Sequence, residues 1–194
     1  RSFKIWHCYL NEMDSYLIDR SVTAPEYDSL LDAYERALVY MNKMPRIWIM
    51  YCTLLTRLKR GSQTRKTFDR ALQSLPITQH KDLWEAYIEW AKSFGVGKTT
   101  IRIFRRYLMY NPSYREAYID YLKEIEEYVE AAVQISYFID AEDFVSESGK
   151  SKHSFWMELC NLCATHPLQI CNLLKVETII RAGIATFSDE VGRL

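Results

Sequence analysis

The sequence predicts an all-α fold, a right-handed α-α superhelix (solenoid) of stacked antiparallel helix pairs. Three observations support this prediction: apolar side chains recur at helical spacing, aromatic motifs repeat every 34 to 42 residues, and helix breakers are sparse. The 194 residues include 14 Tyr, 8 Phe and 5 Trp but only 6 Gly and 5 Pro. Strand signals are weak, because no Asn-Gly or Asp-Gly hairpin turn separates alternating runs.

Aromatic pairs three residues apart mark the first helix of each expected pair. Residues at i and i+3 lie on one face of an α-helix, so each pair is expected to mark a buried stripe. Extended from Trp84 and Tyr87 to Ile88 and Ala91, the stripe keeps a helical period. The aromatic pairs are Trp6 and Tyr9, Trp48 and Tyr51, Trp84 and Tyr87, Tyr118 and Tyr121, and Trp156 with Leu159.

A second motif marks the second helix: an aromatic residue, a charged residue, Arg, a variable residue and Leu. Ala37 and Ala71, at the variable position, would let a neighbouring helix approach closely, while the aromatic ring fills the gap between pairs. The three copies begin at Tyr34, Phe68 and Phe104, and their shared arginines are Arg36, Arg70 and Arg106.

Prolines and glycines fall where helices are expected to be separated. Pro45, Pro76 and Pro112 lack a backbone N–H and suit the stretch just after a helix. Three glycines are expected in tight turns between first and second helices, where positive φ is needed: Gly61, Gly95 and Gly97.

These signals divide the chain into a single array of about five helix pairs, 2–38, 46–75, 81–109, 114–139 and 154–187. Residues 11 to 25 are expected to form a lengthened turn, and Asp140 to Lys152 a loop with a helical turn at Glu142 to Val145. Because the chain starts at Arg1 rather than Met, we expect a fragment truncated at both ends.

Charge, cysteine content and hydropathy disfavour several classes of protein. Lys+Arg and Asp+Glu both total 25, and this zero net charge disfavours nucleic-acid binding as the main task. Five cysteines at uneven spacing favour reduced core thiols over a disulfide framework. The longest apolar stretch, Ile47 to Leu55, is about half a membrane span, so no membrane association is expected.

Two short sequences hint at phosphate binding, and one cluster hints at zinc. Gly97-Lys98-Thr99 and Gly149-Lys150-Ser151 lack the first glycine of a phosphate loop, so both are interpreted as turns. Cys160, Cys163, His166 and Cys171 could ligate zinc, but the first two continue a helical stripe, which favours core thiols. We therefore predict no cofactor, no metal and no enzymatic activity.

Charged residues are segregated along the chain. The simpler interpretation of each cluster is a solvated helix face; the alternative is a basic contact patch for RNA or an acidic protein, and an acidic ridge for a basic protein. The shared arginines are expected to bond a carboxylate or carbonyl of an adjacent helix, and otherwise to bind phosphate or acidic peptide. The basic patch is Arg57, Lys59, Arg60, Arg65 and Lys66, and the acidic ridge is Glu116, Asp120, Glu124, Glu126, Glu127 and Glu130.

The two motifs and the closing prolines resemble the HAT (half-a-TPR) repeat family. Residues 34–48 and 65–80, with Phe144 to Ser146 and Gly149 to Ser151, are similar to Syf-type splicing factors, also called XPA-binding proteins, of the crooked-neck-like superfamily. The match weakens in the last two pairs, where Tyr137-Phe138-Ile139 and Arg181-Ala182-Gly183 replace the motif.

This resemblance implies a nuclear, non-catalytic protein–protein interaction scaffold of the spliceosome, in its Prp19-associated (NineTeen) complex, acting in pre-mRNA splicing. The implied partners are a crooked-neck-like HAT protein, an Aquarius-type helicase, and Isy, Syf and Prp19-type factors, with direct RNA contact secondary. One alternative is a HAT scaffold of mRNA 3′-end or ribosomal RNA processing. A remote alternative is a prenyltransferase-like helical subunit, whose Trp-x-x-Arg motif is absent here.

Overall fold

In a computed structural model, residues 2–141, 146, 148–170 and 176–191 are described, and they form helices and turns with no strand among them. The all-α prediction is therefore confirmed. The chain divides into two compact units, Arg1–Ile103 and Phe104–Leu194. Within the described ranges, no helix is both long enough and apolar enough to cross a lipid bilayer.

The first unit is built of helices that each pack against the next one along the chain. Short turns join them, so neighbours run antiparallel. Ala37 and Ala71 are fully buried, as expected of small side chains where helices approach closely. The helices are α1 Phe3–Leu17, α2 Glu26–Met41, α3 Pro45–Arg57, α4 Gly61–Ser74, α5 His80–Phe94 and the start of α6 Gly97–Tyr110, with a 3₁₀ turn at Ile77–Gln79.

The second unit continues from the end of α6 and has its own core. Ile119, Ile135, Phe138, Phe155 and Leu159 are among the buried side chains that pack together there. Its helices are α7 Arg115–Glu124, α8 Tyr128–Asp140, α9 Lys152–Thr165, α10 Pro167–Ile170 and α11 Val176–Val191, and a 3₁₀ turn at Pro112–Tyr114 precedes α7.

The expected turn over residues 11 to 25 is wrong in its first half, because α1 continues to Leu17. Leu10 and Leu17 lie two turns apart on one helical face, and both are buried. The Tyr27 hydroxyl donates to the Leu17 carbonyl at 2.6 Å and satisfies a carbonyl that the helix end leaves unpaired. The connecting loop therefore covers only residues 18–25.

Only one of the three turn glycines has the conformation predicted for it. Gly95 ends α5 with φ +72°, whereas Gly61 and Gly97 are the first residues of α4 and α6. Gly61 has a different role: an added Cβ would lie 2.3 Å from the ring of Phe94, so the small residue makes room for that ring. The expectation of positive φ at Gly61 and Gly97 is wrong.

Non-glycine residues occupy the left-handed position in two other turns. Lys59 has φ 55° after α3, and Glu126 has φ 61° after α7. Each turn closes with a backbone hydrogen bond spanning five residues, from Arg60 N to Leu55 O at 3.0 Å and from Glu127 N to Leu122 O at 2.9 Å. These Schellman-type bonds satisfy carbonyls at the helix ends and offset the steric cost of positive φ.

The prolines begin helices as well as following them. Pro45 is the first residue of α3 and Pro112 the first of the 3₁₀ turn before α7, positions where a missing N–H costs nothing. Pro76 directly precedes the other 3₁₀ turn. Each proline thus fixes the entry to the next pair.

The expected loop between the last two pairs falls between α8, which ends at Asp140, and α9, which begins at Lys152. The helical turn expected at Glu142 to Val145 lies outside the described residues. The last pair also contains a short helix, α10, before α11. The division of the array into about five repeats stays a prediction.

Candidate interaction surfaces

The first junction between helix pairs is a stack of two tyrosine rings. Tyr34 on α2 and Tyr51 on α3 lie with ring centroids 5.1 Å apart and planes only 9° from parallel. Both are buried, with 2% and 1% of their surface exposed. The second-helix motif thus supplies one ring and the first-helix motif of the next pair supplies the other.

A charged cluster closes the same junction at its surface. The Tyr51 hydroxyl donates to Glu35 Oε1 at 3.0 Å. Arg70 on α4 donates to the two carboxylate oxygens of Glu35, at 2.8 and 2.9 Å. The cluster therefore connects three successive helices, and Arg70 makes the carboxylate contact expected of the shared arginine.

The cluster shifts the pKa values of its members in consistent directions. The hydrogen bond from Arg70 lowers the pKa of Glu35, and burial opposes it. The hydrogen bond to Glu35 raises the pKa of Arg70. Burial, then the nearby Glu35 carboxylate, raises the pKa of Tyr51, so its phenol stays protonated and can donate.

The second junction repeats the ring stack and the hydrogen bond from a tyrosine hydroxyl to a carboxylate, here with a longer distance. Phe68 on α4 and Tyr87 on α5 stack at 4.5 Å and 10°. The Tyr87 hydroxyl donates to Asp69 Oδ1 at 3.3 Å, so the acid again directly follows the ring of the second-helix motif. Trp90 lies against both rings, at 5.9 and 5.8 Å.

The third junction has the same form with the charges exchanged. Phe104 on α6 stacks on Tyr118 of α7 at 4.9 Å, and the Tyr118 hydroxyl donates to Glu130 of α8 at 3.3 Å. Arg105, in the position of Glu35, binds Glu130 through Nε at 3.1 Å and Nη2 at 2.8 Å. Here the cation precedes the tyrosine and the acid follows it.

These contacts change the alignment of the fourth pair with the earlier pairs by three residues, about one helical turn. Tyr118, which the sequence analysis aligns with Trp48, takes the place of Tyr51, because it both stacks on the preceding ring and donates to the carboxylate. Tyr121 also stacks on Phe104, at 5.2 Å. The identical stretches at 85–88 and 116–119, Glu-Ala-Tyr-Ile in both, carry the signal that gives this register.

A fourth ring contact, which sequence reasoning missed, joins α8 and α9. Phe138 and Phe155 meet edge to face with centroids 5.1 Å apart at 78°. Phe138 follows Phe104 by 34 residues, and Phe155 follows Phe138 by 17, the same separation as Tyr34 and Tyr51. These separations could have predicted the contact from the sequence.

The outermost aromatic pairs depart from the expected buried stripe. On α1 Trp6 is half-buried and Tyr9 is 43% exposed. On α9 the stripe runs through Phe155, Leu159 and Cys163, and Trp156 is only half-buried. The expectation that Tyr9 and Trp156 are buried ring positions is wrong.

The central tryptophans are buried as expected. Trp48 is 3% exposed and Trp84 5% exposed. The Trp48 indole N–H donates to the Asn42 carbonyl at 2.9 Å, and the Arg70 guanidinium lies 5.6 Å from its ring centroid. Trp48 thus holds the start of α3 against the end of α2.

The other two shared arginines, Arg36 and Arg106, lie at the surface. Arg36 is exposed and lines an open depression with Ser29, Asp32 and Glu35. Arg106 is also exposed. Arg105, one residue earlier, makes the carboxylate contact in the third junction.

The structure divides the basic patch into paired and unpaired cations. Arg57 binds Asp14 on α1, and Arg60 binds Asp28 on α2 at 3.0 Å. Lys59, Arg65 and Lys66 are exposed and make no ion pair with any described residue. The contiguous patch read from the sequence is therefore partly neutralised.

The acidic ridge is divided in the same way. Glu130 belongs to the third junction, and Glu116 accepts from the Ser148 amide at 3.1 Å. Asp120 binds Lys123, which also binds Glu158 of α9. Its exposed members are Glu124, Glu126 and Glu127, together with Asp120.

One sequence that resembles a phosphate loop and the described candidate zinc ligands lie within or at the ends of helices. Gly97 to Thr99 begin a helix that follows another helix. Cys163 is buried, and His166 stacks on Tyr128 with centroids 3.9 Å apart, while Cys171 lies outside the described residues. No group of three potential metal ligands converges in the part of the chain that the structure describes.

An open groove lies between α3 and α5, the first helices of two successive pairs. Its volume is about 490 Å³, within the range of ligand and peptide sites. Cys52, Phe68 and Trp90 form its apolar floor, while Thr53 and Glu89 are exposed at its sides. Burial raises the pKa of the Cys52 thiol, which therefore stays neutral and unreactive in this floor.

Helix pairs that meet through repeated ring contacts define this chain as a helical repeat protein. A model of the Syf1/CNRKL1 N-terminal HAT repeat of pre-mRNA-splicing factors matches residues 1–113, and the SYF1 middle HAT repeat model matches residues 115–194. The chain belongs to this Syf1-type HAT-repeat family.

Curated relatives agree with this assignment over the whole chain. The identity is 42% over 193 residues to the syf1 homolog of Drosophila melanogaster and 41% to SYF1 of Homo sapiens, each named a pre-mRNA-splicing factor. It is 35% over 195 residues to the pre-mRNA-splicing factor cwf3 of Schizosaccharomyces pombe. The chain spans 22% of the fly and human proteins and 24% of the yeast protein.

Proposed function

We propose that the chain is part of a non-catalytic protein–protein interaction scaffold of the spliceosome, acting in pre-mRNA splicing in the nucleus. The observation that carries this proposal is the identity of 41–42% over the whole chain to proteins named pre-mRNA-splicing factor SYF1. Family membership makes the scaffold class the natural function, since HAT arrays offer extended surface rather than an enclosed site.

The junctions support such a function physically. Stacked rings and the Glu35 cluster hold neighbouring helices together within the first unit, and the Glu130 cluster does the same within the second, so surface residues on neighbouring helices of each unit keep their spacing. The groove between α3 and α5 offers an apolar floor with polar sides, suited to one helix or extended segment of a partner. Trp90 and Phe68 are the aromatic anchors of that floor.

Other spliceosomal proteins are the proposed partners. Within that class, the named candidates are the crooked-neck-like HAT protein, an Aquarius-type helicase, and Isy, Syf and Prp19-type factors, in a Prp19-associated complex. The division of the chain into about five repeats of one array belongs to the same proposal.

Affinity purification of the full-length protein tests the proposal. We expect small nuclear RNAs and Prp19-type proteins to co-purify. Recovery of polyadenylation factors or ribosomal RNA processing factors in their place would assign the protein to another RNA-processing pathway and contradict the proposal.

A variant pair tests the groove within the same experiment. Thr53→Arg places a cation on the exposed side of the groove, and Thr23→Arg places the same side chain in the loop before α2, away from it. We expect the first variant to lose a subset of proteins and the second to lose none. Equal recovery with both variants would exclude the groove as a docking site.

A further inference from the structure

Five cations lie near the starts of α4 and α6, the second helices of two successive pairs, and no described acidic residue neutralises them. Lys59, Arg65, Lys66, Lys98 and Arg102 are exposed and make no ion pair with a described residue. We call these five residues the basic face. Their unpaired state contrasts with Arg57, Arg60 and Arg70 nearby, each of which binds an acid on α1 or α2.

The charge of this region is far from the zero of the whole chain. Residues 57–103 contain ten Lys or Arg against four Asp or Glu, a formal excess of six positive charges. Helix α6 contains no acidic residue at all. Three of these ten cations, Arg57, Arg60 and Arg70, bind acids outside this range, which leaves an excess of three positive charges. Such an excess produces a local potential that attracts an acidic partner and accelerates its association.

A small cavity joins the α4 and α6 sides of the basic face. Its volume is about 150 Å³, and Arg65 and Ser62 line it from α4 while Thr99 lines it from α6. Lys98 is adjacent to Thr99, and Arg102 lies one turn further along α6. The cavity is large enough for the end of one side chain, and Arg65, Ser62 and Thr99 offer donors for a carboxylate there, beside the rings of Trp90 and Phe94.

Apolar side chains lie beside these cations. Phe94 is 45% exposed and Val96 43% exposed, at the turn that separates α5 from α6. Phe94 also lines the cavity, stacked on Trp90 at 5.1 Å. A ligand that fits here therefore needs an apolar group next to its negative charges.

We infer that the basic face binds an acidic segment of a partner protein, in which carboxylates flank an apolar side chain. One carboxylate enters the cavity beside Arg65, others meet Lys66, Lys98 and Arg102, and the apolar side chain covers Phe94 and Val96. This inference rests on the scaffold function proposed above and gives that scaffold a second surface, distinct from the groove between α3 and α5.

A peptide fits this arrangement better than an RNA strand. Single-stranded RNA binds in a groove that follows several successive phosphates, with bases stacked on aromatic rings. Of the aromatic rings that line the cavity here, Trp90 is buried and only Phe94 is exposed, so the cavity offers no succession of rings on which bases could stack. Alternate carboxylates of an extended peptide lie about 7 Å apart, close to the spacing of Lys98 and Arg102 along one helical turn.

Fluorescence anisotropy on the 194-residue chain tests this inference. The probe is a short labelled peptide rich in Glu and Asp around a central Leu, with its Gln and Asn counterpart and an oligouridine RNA as comparisons. The test variant carries Arg65→Glu with Lys98→Glu. The control carries Arg46→Glu with Lys81→Glu, which changes the net charge equally in the first turns of α3 and α5, outside the basic face.

The acidic peptide should bind, and the neutral peptide should not. We expect the test variant to bind the acidic peptide at least about tenfold more weakly and the control less than about twofold. Unchanged far-UV circular dichroism and thermal midpoint establish that both variants fold.

If both variants bind the acidic peptide equally weakly, the loss depends on net charge alone, and the inference is overturned. RNA binding tighter than peptide binding, and lost only in the test variant, would reassign the basic face to RNA. Both measurements use the purified chain alone, whereas the proposed role in splicing is tested by co-purification. A negative result in one experiment therefore does not decide the other.

Discussion

Arg70 on α4 donates parallel hydrogen bonds to the two oxygens of Glu35 on α2, at 2.8 and 2.9 Å, although 35 residues separate them. Between the two helices lies α3, whose Tyr51 donates to the same carboxylate. The contact is thus the point at which one pair is fastened to the next.

Removing the charge of Glu35 should loosen this junction. Both partners are about half exposed, so solvent screens the pair, and we expect Glu35→Gln to lower the free energy of unfolding by about 1 kcal/mol. Urea denaturation checks this. Asp32→Asn, an exposed acid on the same helix, is the matched control and should change stability by less than about 0.5 kcal/mol.

The contribution of Glu35 should also depend on pH. Its folded-state pKa lies below the ordinary value of 4.5, so the stabilisation is fully present above that value and is lost as pH falls through the folded pKa. We expect the wild-type and Glu35→Gln stabilities to converge in acid and to separate by about pH 6. A constant difference from neutral to strongly acid solution would contradict the assignment.

Glu130 should matter more than any other acid of the ridge. Its side chain is 20% exposed and accepts hydrogen bonds from Arg105, Tyr118 and Gln134. Glu130→Ala leaves these donors without their acceptor, and we expect a loss of about 2 kcal/mol. Glu127→Ala, on the exposed residue just before α8, should be nearly neutral; comparable losses in thermal denaturation would exclude a special role for Glu130.

Glycine at position 59 should stabilise the protein. Lys59 has φ 55°, a region that costs a side chain about 1 kcal/mol, so we expect Lys59→Gly to raise the free energy of unfolding by about that amount, less the added chain entropy. Lys66→Gly, inside α4, should lower it by about 1 kcal/mol. The two changes should have opposite signs in the same denaturation assay.

The ring contact between α8 and α9 should be a major source of stability in the second unit. Phe155 is 2% exposed and meets Phe138, so we expect Phe155→Ala to cost about 3 kcal/mol or more. Met157→Ala, on a 43% exposed neighbour, should cost less than about 1 kcal/mol. Similar melting temperatures for the two variants would contradict the repeat register proposed for this pair.

The sequence was informative wherever ring spacing decided the structure. Tyr34 and Phe68 were expected between helix pairs, and Tyr51 and Tyr87 in a buried stripe, because a helix must bury its aromatic stripe and the repeat brings two stripes together. The register failed at Tyr118 and Phe155, since an aromatic pair three residues apart shows which face is buried but not which ring meets the preceding helix.

Other features depend on contacts that no local pattern reveals. The pairings of Arg57 with Asp14 and of Arg60 with Asp28 join residues 43 and 32 positions apart and neutralise two of the five cations of the basic patch. Positive φ at Lys59 rather than Gly61 reflects a balance between backbone hydrogen bonds and side-chain sterics that differs by only about 1 kcal/mol. Residue type alone does not settle such a balance.

The reversed order of charge in the two clusters has a consequence for assembly of the array. Around Tyr51 the acid lies on the preceding helix and the arginine on the following one, and around Tyr118 these positions are exchanged. A hairpin docked on the wrong neighbour would bring two guanidinium groups, or two carboxylates, to one phenol. The positions of the charges therefore help to set the order of these otherwise similar helix pairs. Exchanging two pairs should bring like charges together at a junction even where the aromatic rings still stack.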